Sequence, residues 1–202
     1  NKSFLWGCKC RSGKTFMFGG LIIKQYDSMK QQENKQNLNV LIITPAPTET
    51  VPQFTEDLLC NFREFNKFKI HHIEGFKKLA SLELGSSNIF VISKQFLQKY
   101  TNEKTIMKIK NLKLDMIAFD ENHFSGTTDL SKDILNSYSS DNTVKIYLTA
   151  TYNKPLQEWN ISQKCQMFWD IEDEQICKSI IMNKDNLIKL KEKHGDKCVT
   201  ST

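Results

Sequence analysis

The amino-acid sequence predicts an α/β fold in which helices cover both faces of a mainly parallel sheet. Residues 39–44 and 88–93 are continuous apolar runs, which is typical of parallel strands buried on both faces. Segments with helical spacing of apolar residues separate such runs, as the crossover connections of a parallel sheet require. Polar residues follow the strand ends, where ligands bind in sheets of this kind. The sequence therefore predicts a doubly wound domain with its functional site at one edge of the sheet.

The composition fits a globular domain and disfavours several other classes of protein. The 202 residues are 39% hydrophobic and 25% charged, which suits a chain with a substantial core. No apolar run reaches the roughly 18 residues of a membrane span, and no signal segment begins the chain. We therefore expect an intracellular protein, cytoplasmic or nuclear, without a membrane partner. The net charge of +5 permits contact with a polyanion but does not by itself indicate one.

The chain begins with a short apolar strand, a polar loop and the start of a helix. This segment, here called the phosphate loop, comprises Gly7, Cys8, Lys9, Cys10, Arg11, Ser12, Gly13, Lys14 and Thr15. Backbone N–H groups of such a loop, together with the dipole of the following helix, bind phosphate oxygens. In the pattern G-x-x-x-x-G-K-[ST], the lysine contacts the β- and γ-phosphates and the hydroxyl residue binds Mg²⁺. Lys14 and Thr15 are the candidates for these roles, although Cys8 stands where the pattern has its first glycine.

The helix after the phosphate loop is predicted over residues 16–30, followed by a polar connector over residues 30–37. Gly19 and Gly20 weaken this helix by about 1 kcal/mol each. We therefore expect a close contact between this part of the helix and the sheet.

Two strands and a helix are predicted in the next part of the chain. The buried strand at residues 39–44 stops before Pro45. The helix after it presents apolar residues at helical spacing, namely Phe54, Leu58, Leu59 and Phe62. A short strand over residues 69–73 contains His71 and His72, which point to opposite faces of a strand, so we do not expect them to share a metal.

The following segments repeat the alternation of strand and helix. The buried strand at residues 88–93 precedes a helix over residues 94–100. A strand over residues 112–119 ends on Asp120, Glu121, Asn122 and His123. A helix over residues 130–138 and a polar turn then lead to a strand over residues 144–149, which is followed by Ala150 and Thr151.

The pattern becomes looser from residue 152 onward. Trp159, Phe168 and Trp169 are predicted to pack rather than to stack on bases, and residues 185–194 form a charged helix. The six cysteines lack the spacing of a disulfide framework and favour a reducing compartment. A zinc site built from Cys165, Cys177, His194 and Cys198 is an alternative that the residue types allow and the spacing disfavours. We interpret residues 152–202 as an extension of a domain at residues 1–151, or as the start of a link to a further domain.

Three polar segments follow predicted strands that meet at one edge of the sheet: the phosphate loop, the pair Asp120 and Glu121, and the segment from Thr149 to Thr151. Hydrolysis of ATP requires a phosphate-binding loop, a carboxylate that holds Mg²⁺ and a group that orients the attacking water. Asp120 and Glu121 suit the last two requirements, because successive residues beyond a strand end can face different targets. The combination predicts an ATP site, whereas each segment alone is weak support.

These motifs resemble the first RecA-like domain of a superfamily 2 helicase or translocase. The resemblance covers residues 4–151. The phosphate loop is similar in style to that of the motor subunits of restriction enzymes and of helicases of large DNA viruses. In its terms the acidic segment is a DExH box, and Thr149-Ala150-Thr151 is the motif that couples hydrolysis to strand movement. The fold implied is a three-layer α/β/α P-loop NTPase domain with ATP and Mg²⁺ as cofactors.

The resemblance also implies roles for single residues. Asp120 binds Mg²⁺ through water, Glu121 is the catalytic base, Lys14 contacts the phosphates and His123 links the DExH box to the coupling motif. The strand-end residues expected to contact a nucleic-acid backbone, with DNA favoured over RNA, are Thr44, Pro45, Ser93, Lys94 and Gln95.

In this family ATP lies between two RecA-like domains, and nothing after Thr151 resembles the second. We therefore expect this chain to be a fragment that hydrolyses ATP weakly on its own.

Two other classes of protein compete with this interpretation. A GTPase requires Asp-x-x-Gly where this chain has Asp120 to His123, and its guanine motif Asn-Lys-x-Asp is not matched by Asn183-Lys184-Asp185-Asn186. The alternative that stays open is a degenerate P-loop domain that binds nucleic acid or serves as a scaffold without turnover. The presence of Lys14, Thr15, Asp120 and Glu121 favours the ATPase.

Overall fold

The computed structural model of the chain describes residues 2–9, 12–31, 37–45, 50–73, 82–100, 102–120, 129–151 and 161–194. The chain divides into two compact units, Asn1–Phe168 and Trp169–Thr202. Whether the domain ends at residue 151, as the sequence predicts, stays a prediction.

A seven-stranded sheet organises the first unit. Its strands are β1 (Ser3–Cys8), β2 (Asn39–Thr44), β3 (Lys69–Ile73), β4 (Asn88–Ser93), β5 (Met116–Phe119), β6 (Val144–Thr149) and β7 (Gln166–Trp169). They lie in the order β3-β4-β2-β5-β6-β1-β7, and the pairings among β1 to β6 are parallel. The predicted α/β class is therefore confirmed. All strand ends that the sequence singled out lie at the same edge, here called the carboxyl edge.

Seven α-helices are described. They are α1 (Lys14–Gln31), α2 (Thr50–Pro52), α3 (Lys94–Lys99), α4 (Lys104–Asn111), α5 (Asp129–Tyr138), α6 (Ile171–Ile181) and α7 (Lys184–His194). The single turn of α2 continues into a π-helix, Gln53–Leu59, and 3-10 helices span Arg63–Lys67 and Gln163–Cys165. Over the described ranges, no helix is both long and apolar enough to cross a membrane.

The sheet is buried on both faces, which explains the continuous apolar runs. Successive side chains of a strand point to opposite faces. Val40 and Ile42 of β2 belong to one apolar cluster with α1 and the π-helix, whereas Leu41 and Ile43 belong to a second cluster with α3, α4 and α5. The result is the predicted three-layer arrangement.

Contacts of Gly19 differ from the predicted helix–sheet contact. A Cβ atom at Gly19 would lie 2.7 Å from Leu58 Cδ1 in the π-helix, whereas at Gly20 it would meet nothing within 4 Å. Gly19 therefore permits close packing of α1 against the π-helix, and the expectation of a glycine contact with the sheet is wrong.

Two element predictions also require correction. Phe54, Leu58 and Leu59 are buried as predicted, but Phe62 lies beyond the π-helix, is 43% exposed and makes an edge contact with Phe16. The strand predicted over residues 112–119 begins only at Met116, because residues 112–115 connect the unpredicted helix α4 to β5. Leu114 in that connector is buried, so its apolar character reflects core packing without strand pairing.

The second unit contains α6 and α7, of which only the charged helix over residues 185–194 was predicted. Helix α6 begins with a capping box, in which the Asp170 carboxylate accepts bonds from the N–H groups of Glu172 and Asp173, and the Asp173 carboxylate accepts one from the Asp170 N–H. Such a box satisfies N–H groups that a helix start leaves without partners. No residue of α6 is buried.

Candidate functional site

The phosphate loop joins the end of β1 to the first turn of α1. The Ser12 N–H donates to the Lys9 carbonyl at 3.2 Å, and the Met17 N–H donates to the Gly13 carbonyl at 3.0 Å, which is a first hydrogen bond of α1. Gly13 has a φ of +79°, a conformation that L side chains rarely adopt. The second glycine of the pattern is therefore required by the backbone of this loop.

Cys8 occupies the position of the first glycine of the phosphate-loop pattern. It is the last residue of β1, so its backbone is extended, and its side chain is fully buried. Burial raises the pKa of the Cys8 thiol, against the smaller opposing effects of the Lys14 charge and the Ser12 hydroxyl. The thiol is thus a neutral part of the core beneath the loop.

Lys14 and Asp120 approach each other at the carboxyl edge. The distance from Lys14 Nζ to Asp120 Oδ1 is 4.0 Å, and the Asp120 side chain is 1% exposed. Because β6 lies between β1 and β5 in the sheet, this ion pair spans the end of β6. The backbone N–H of Asp120 donates to the Ile43 carbonyl at 2.9 Å, which fixes its position beside β2.

Thr149 lies at the end of the strand that the ion pair spans. It is fully buried and is paired in register with Gly7 of the phosphate loop. Its hydroxyl donates to the Thr151 carbonyl at 2.9 Å and accepts from the Thr151 N–H at 3.1 Å. The predicted coupling segment, with Ala150 between these two residues, is therefore a tight turn directly beside the phosphate loop.

The two segments predicted to contact nucleic acid also lie together. Thr44 and Ser93 are paired in register, and the Gln95 carboxamide donates to the Pro45 carbonyl at 2.8 Å. The Ser93 hydroxyl accepts from the N–H of Phe96 and caps α3.

Lys94, between them, is 5% exposed, and desolvation lowers the pKa of its ammonium group. Its contact with a polyanion would therefore require the side chain to leave its buried position.

Several predicted residues lie outside the described part of the chain. They are Cys10, Arg11, Glu121, Asn122, His123, Trp159 and Cys198. The structure therefore does not place the predicted catalytic base or the DExH histidine. Within the ranges that are described, no cluster of three or more His, Cys, Asp or Glu residues suitable for a metal was found. The zinc alternative involves Cys198 and stays a prediction.

Two residues beside the phosphate loop were not predicted. Gln53 and Asp57 of the π-helix line a pocket of about 280 Å³ together with Gly13, Lys14, Thr15 and Phe16. Sequence reasoning used only the apolar residues of this helix, and no motif distinguishes its exposed polar positions. The i, i+4 spacing of Gln53 and Asp57 is the one signal available, since it places both side chains on one face.

Comparisons with known proteins agree with the extent of this site. A family model described as "Type III restriction enzyme, res subunit" matches residues 3–154, a range that contains the phosphate loop, Asp120 and the turn from Thr149 to Thr151. A search of curated proteins found no match.

The solved structures that match include the large terminase from a thermophilic bacteriophage, at 9% identity and a TM-score of 0.48. That alignment covers 94% of this chain and 44% of the terminase chain, so the present chain spans less than half the length of that protein.

Proposed function

The chain belongs to the family of the type III restriction enzyme res subunit, and on that premise we propose that it is the ATP-binding motor domain of a nucleic-acid-dependent helicase or translocase. Family and fold together make it a helicase-like P-loop ATPase domain. The dependence on nucleic acid and the type of movement are the proposed part.

The contact between Lys14 and Asp120 is the observation that supports this function best. A P-loop ATPase requires one cation at the β- and γ-phosphates and one carboxylate near the metal. The 4.0 Å separation brings these two groups to one point of the carboxyl edge although they are far apart in the chain. A structural ion pair would serve stability alone, but this one lies directly beside a glycine-dependent loop at a helix start, which is suited to bind an anion.

The residues at this point fit Mg²⁺. The metal prefers carboxylate and hydroxyl oxygens together with phosphate oxygens, and Asp120 and Thr15 supply the two protein oxygen types at the edge. Both are largely buried, which strengthens electrostatic interactions there. When bound, Mg²⁺ neutralises charge on the phosphates.

The chain's own residues would then divide the work. Lys14 and the backbone N–H groups of the phosphate loop hold the β- and γ-phosphates. Glu121, next to Asp120, orients the attacking water and accepts its proton. The turn from Thr149 to Thr151 borders the phosphate loop and transmits the conformational change of that loop on hydrolysis. His123 is the link to the acidic segment.

Nucleic acid is proposed to bind along the ends of β2 and β4. The hydrogen bond between Gln95 and Pro45 joins these two strand ends into one surface beside the ATP site. Contacts at such a surface go mainly to phosphates, so binding should weaken with salt. A second RecA-like domain would complete the ATP site from the other side, and we expect DNA to be favoured over RNA.

The ATPase rate of the full-length protein tests this function. We expect turnover that DNA or RNA stimulates and that Glu121→Gln abolishes, since the variant retains the shape of the side chain without its basicity. Glu192→Gln on the exposed side of α7 serves as the matched control and should retain the normal rate. Equal turnover in wild type and Glu121→Gln would contradict the motor. Nucleic-acid binding without any turnover in either would favour the degenerate scaffold.

A further inference from the structure

The excess positive charge of the chain is concentrated in one segment. Residues 94–113, here called the basic flank, contain six lysines and one glutamate, so they carry a net charge of +5. The whole chain also carries +5, which means that the remaining residues are neutral in sum. A charge excess that is confined to one part of a surface indicates a polyanionic partner.

The basic flank runs from one edge of the sheet to the other. It starts directly after β4 at the carboxyl edge, where the Gln95 carboxamide donates to the Pro45 carbonyl. It ends just before β5, which begins at the opposite edge because β4 and β5 are both parallel to β2. The six residues of β4 span about 20 Å, which is the length of about six base pairs of a duplex. The flank therefore continues the proposed nucleic-acid surface along one side of the domain.

Helix α4, within the flank, presents lysines on its exposed side. Ile106 and Ile109 are fully buried, whereas Lys104 and Lys108 are exposed and lie on one face, since they are four residues apart. Helix α4 contains no acidic residue, and among the described residues neither lysine takes part in an ion pair. The two lysines are about 6 Å apart along the helix axis, so they can contact separate phosphates, which repeat about every 3.4 Å along each strand of a duplex.

Packing against α5 makes this side of the domain a fixed surface. Ile106 and Ile109 share an apolar cluster with Tyr138 of α5, and Lys110 Nζ lies 5.4 Å from the centroid of the Tyr138 ring. Helix α5 carries two aspartates and one lysine, a net charge of −1. The flank and α5 together therefore retain a charge of +4.

The chemistry of the flank favours duplex DNA over other polyanions. Proteins that bind single strands use aromatic rings on which bases stack, and α4 contains no aromatic residue. Amphipathic helices that bind membranes insert their apolar face, but the apolar face of α4 is buried in the core. Lysine side chains on a rigid helix contact phosphates without reading the sequence, which suits the regular backbone of a duplex.

We infer that the basic flank binds the phosphate backbone of duplex DNA through its exposed lysines Lys99, Lys104, Lys108 and Lys113. This inference rests on the proposed function for the identity of the polyanion. It adds a duplex contact that is separate from the ATP site and from the ends of β2 and β4. Four phosphate contacts contribute about −4 to the slope of log affinity against log salt concentration.

Fluorescence anisotropy of the full-length protein with a duplex of about 20 base pairs, at several salt concentrations, tests the inference. Lys104→Ala combined with Lys108→Ala should weaken duplex binding at least about tenfold near 0.1 M salt and reduce the magnitude of the salt slope by about 2. The corresponding pair of arginine substitutions retains both charges and should bind normally. The matched control, Lys24→Ala combined with Lys30→Ala, removes two exposed charges from α1 on the other face of the sheet and should also bind normally.

A single strand of the same length and vesicles of anionic phospholipid distinguish the classes of ligand. The double alanine variant should bind the single strand within about twofold of wild type, because that ligand does not depend on the flank. Unchanged duplex affinity and salt slope in this variant would overturn the basic flank alone. An equal loss for the single strand would overturn the assignment to a duplex, and a loss confined to vesicles would assign the flank to a membrane surface instead. Failure of wild type to bind either nucleic acid would overturn the proposed function itself.

Discussion

The two edges of the parallel sheet are both polar, but they use their polar groups in opposite ways. At the carboxyl edge, Lys14 and Asp120 face each other at 4.0 Å beside a pocket. At the other edge, here called the amino edge, the strands begin with side chains that hydrogen-bond to one another and to the backbone.

Asn88 is at the centre of the amino edge. Its carboxamide oxygen accepts from the Gly85 N–H at 2.8 Å and lies 3.0 Å from His71 Nε2, while its nitrogen donates to Asn39 Oδ1 at 2.8 Å and to the Gly85 carbonyl at 3.0 Å. The Asp115 carboxylate accepts from the Asn39 N–H at 2.9 Å. These groups join the first residues of β2 and β4 to His71 in the middle of β3 and to Asp115, just before β5.

The difference shows how polar residues in one sheet can be assigned to stability or to ligand binding. A polar group whose hydrogen bonds are all made within the protein contributes to the fold. A charged group beside a pocket and a helix start has capacity for a ligand. We therefore expect mutations at the amino edge to change stability, and mutations at the carboxyl edge to change binding.

Asn88→Ala should give the largest effect. The change leaves the buried His71 ring and the half-buried Gly85 N–H without their partner, and a buried unsatisfied group costs about 1–3 kcal/mol. Urea unfolding should show a loss of about 3 kcal/mol, while the folded variant binds ATP normally. Asn61→Ala, which removes an exposed side-chain bond to the Asp57 carbonyl, should cost less than about 0.5 kcal/mol. Weak ATP binding by folded Asn88→Ala would contradict the assignment of the amino edge to stability and of the carboxyl edge to ligand binding.

Lys14→Ala should change binding most strongly. Loss of a charged hydrogen-bond donor to the phosphates should weaken ATP binding by at least about 100-fold, measured by calorimetry on the folded variant. Lys24→Ala, on the exposed side of the same helix, should bind ATP normally. Undiminished ATP affinity in Lys14→Ala would mean that the phosphate loop is misassigned.

Two neighbouring glycines sharpen the comparison because they lie on the helix that starts at the site. Gly19→Ala should destabilise the protein by about 1 kcal/mol, since overpacking against Leu58 exceeds the gain in helix propensity. Gly20→Ala meets nothing and should stabilise by up to about 1 kcal/mol. Thermal unfolding of both variants measures the difference. Equal melting temperatures would show that the contact with Leu58 does not constrain α1.

The smallest expected effect is the pH dependence that His71 gives to the amino edge. Burial lowers the pKa of His71; the bond to Asn88 raises it less, and the Lys69 charge lowers it slightly. Below the ordinary histidine pKa of about 6.5, the unfolded chain binds more protons than the folded one, so stability falls as the pH decreases.

The free energy of unfolding should therefore decrease from pH 7 to pH 5, and His71→Gln should reduce this slope. His72→Gln, on the opposite face of β3, should leave the slope unchanged. An identical slope in wild type and His71→Gln would exclude His71 as the source.

The sequence predicted the fold well where burial alone determines the pattern. Strands β2, β4 and β6 were predicted with the bounds that the structure shows, because strands buried on both faces have no alternative interpretation as helices of that length. Helix α4 and strand β7 were missed, because the apolar residues of short elements with mixed composition show no clear helical or strand periodicity.

The site was predictable in part for a similar reason. Lys14 and Asp120 lie beyond strand ends and Thr149 is the last residue of β6, and the rule that parallel strands end at one edge brings them together. Gln53 and Asp57 could not be predicted, because their proximity to the loop depends on how α1 packs against the π-helix at Gly19. The burial of Lys94 depends likewise on the direction of a side chain just beyond a strand.

Hydrogen exchange with and without ATP and Mg²⁺ tests the central claim most directly, because it reports both edges in one measurement. Bound ATP should slow exchange in the phosphate loop, around Asp120 and in the turn from Thr149 to Thr151, where amides meet the ligand or become more rigid. Exchange at the amino edge, around Asn39, Gly85 and Asn88, should stay unchanged. Protection confined to the amino edge, or no protection at the carboxyl edge with ATP in saturating excess, would contradict the assignment of this edge as the ATP site.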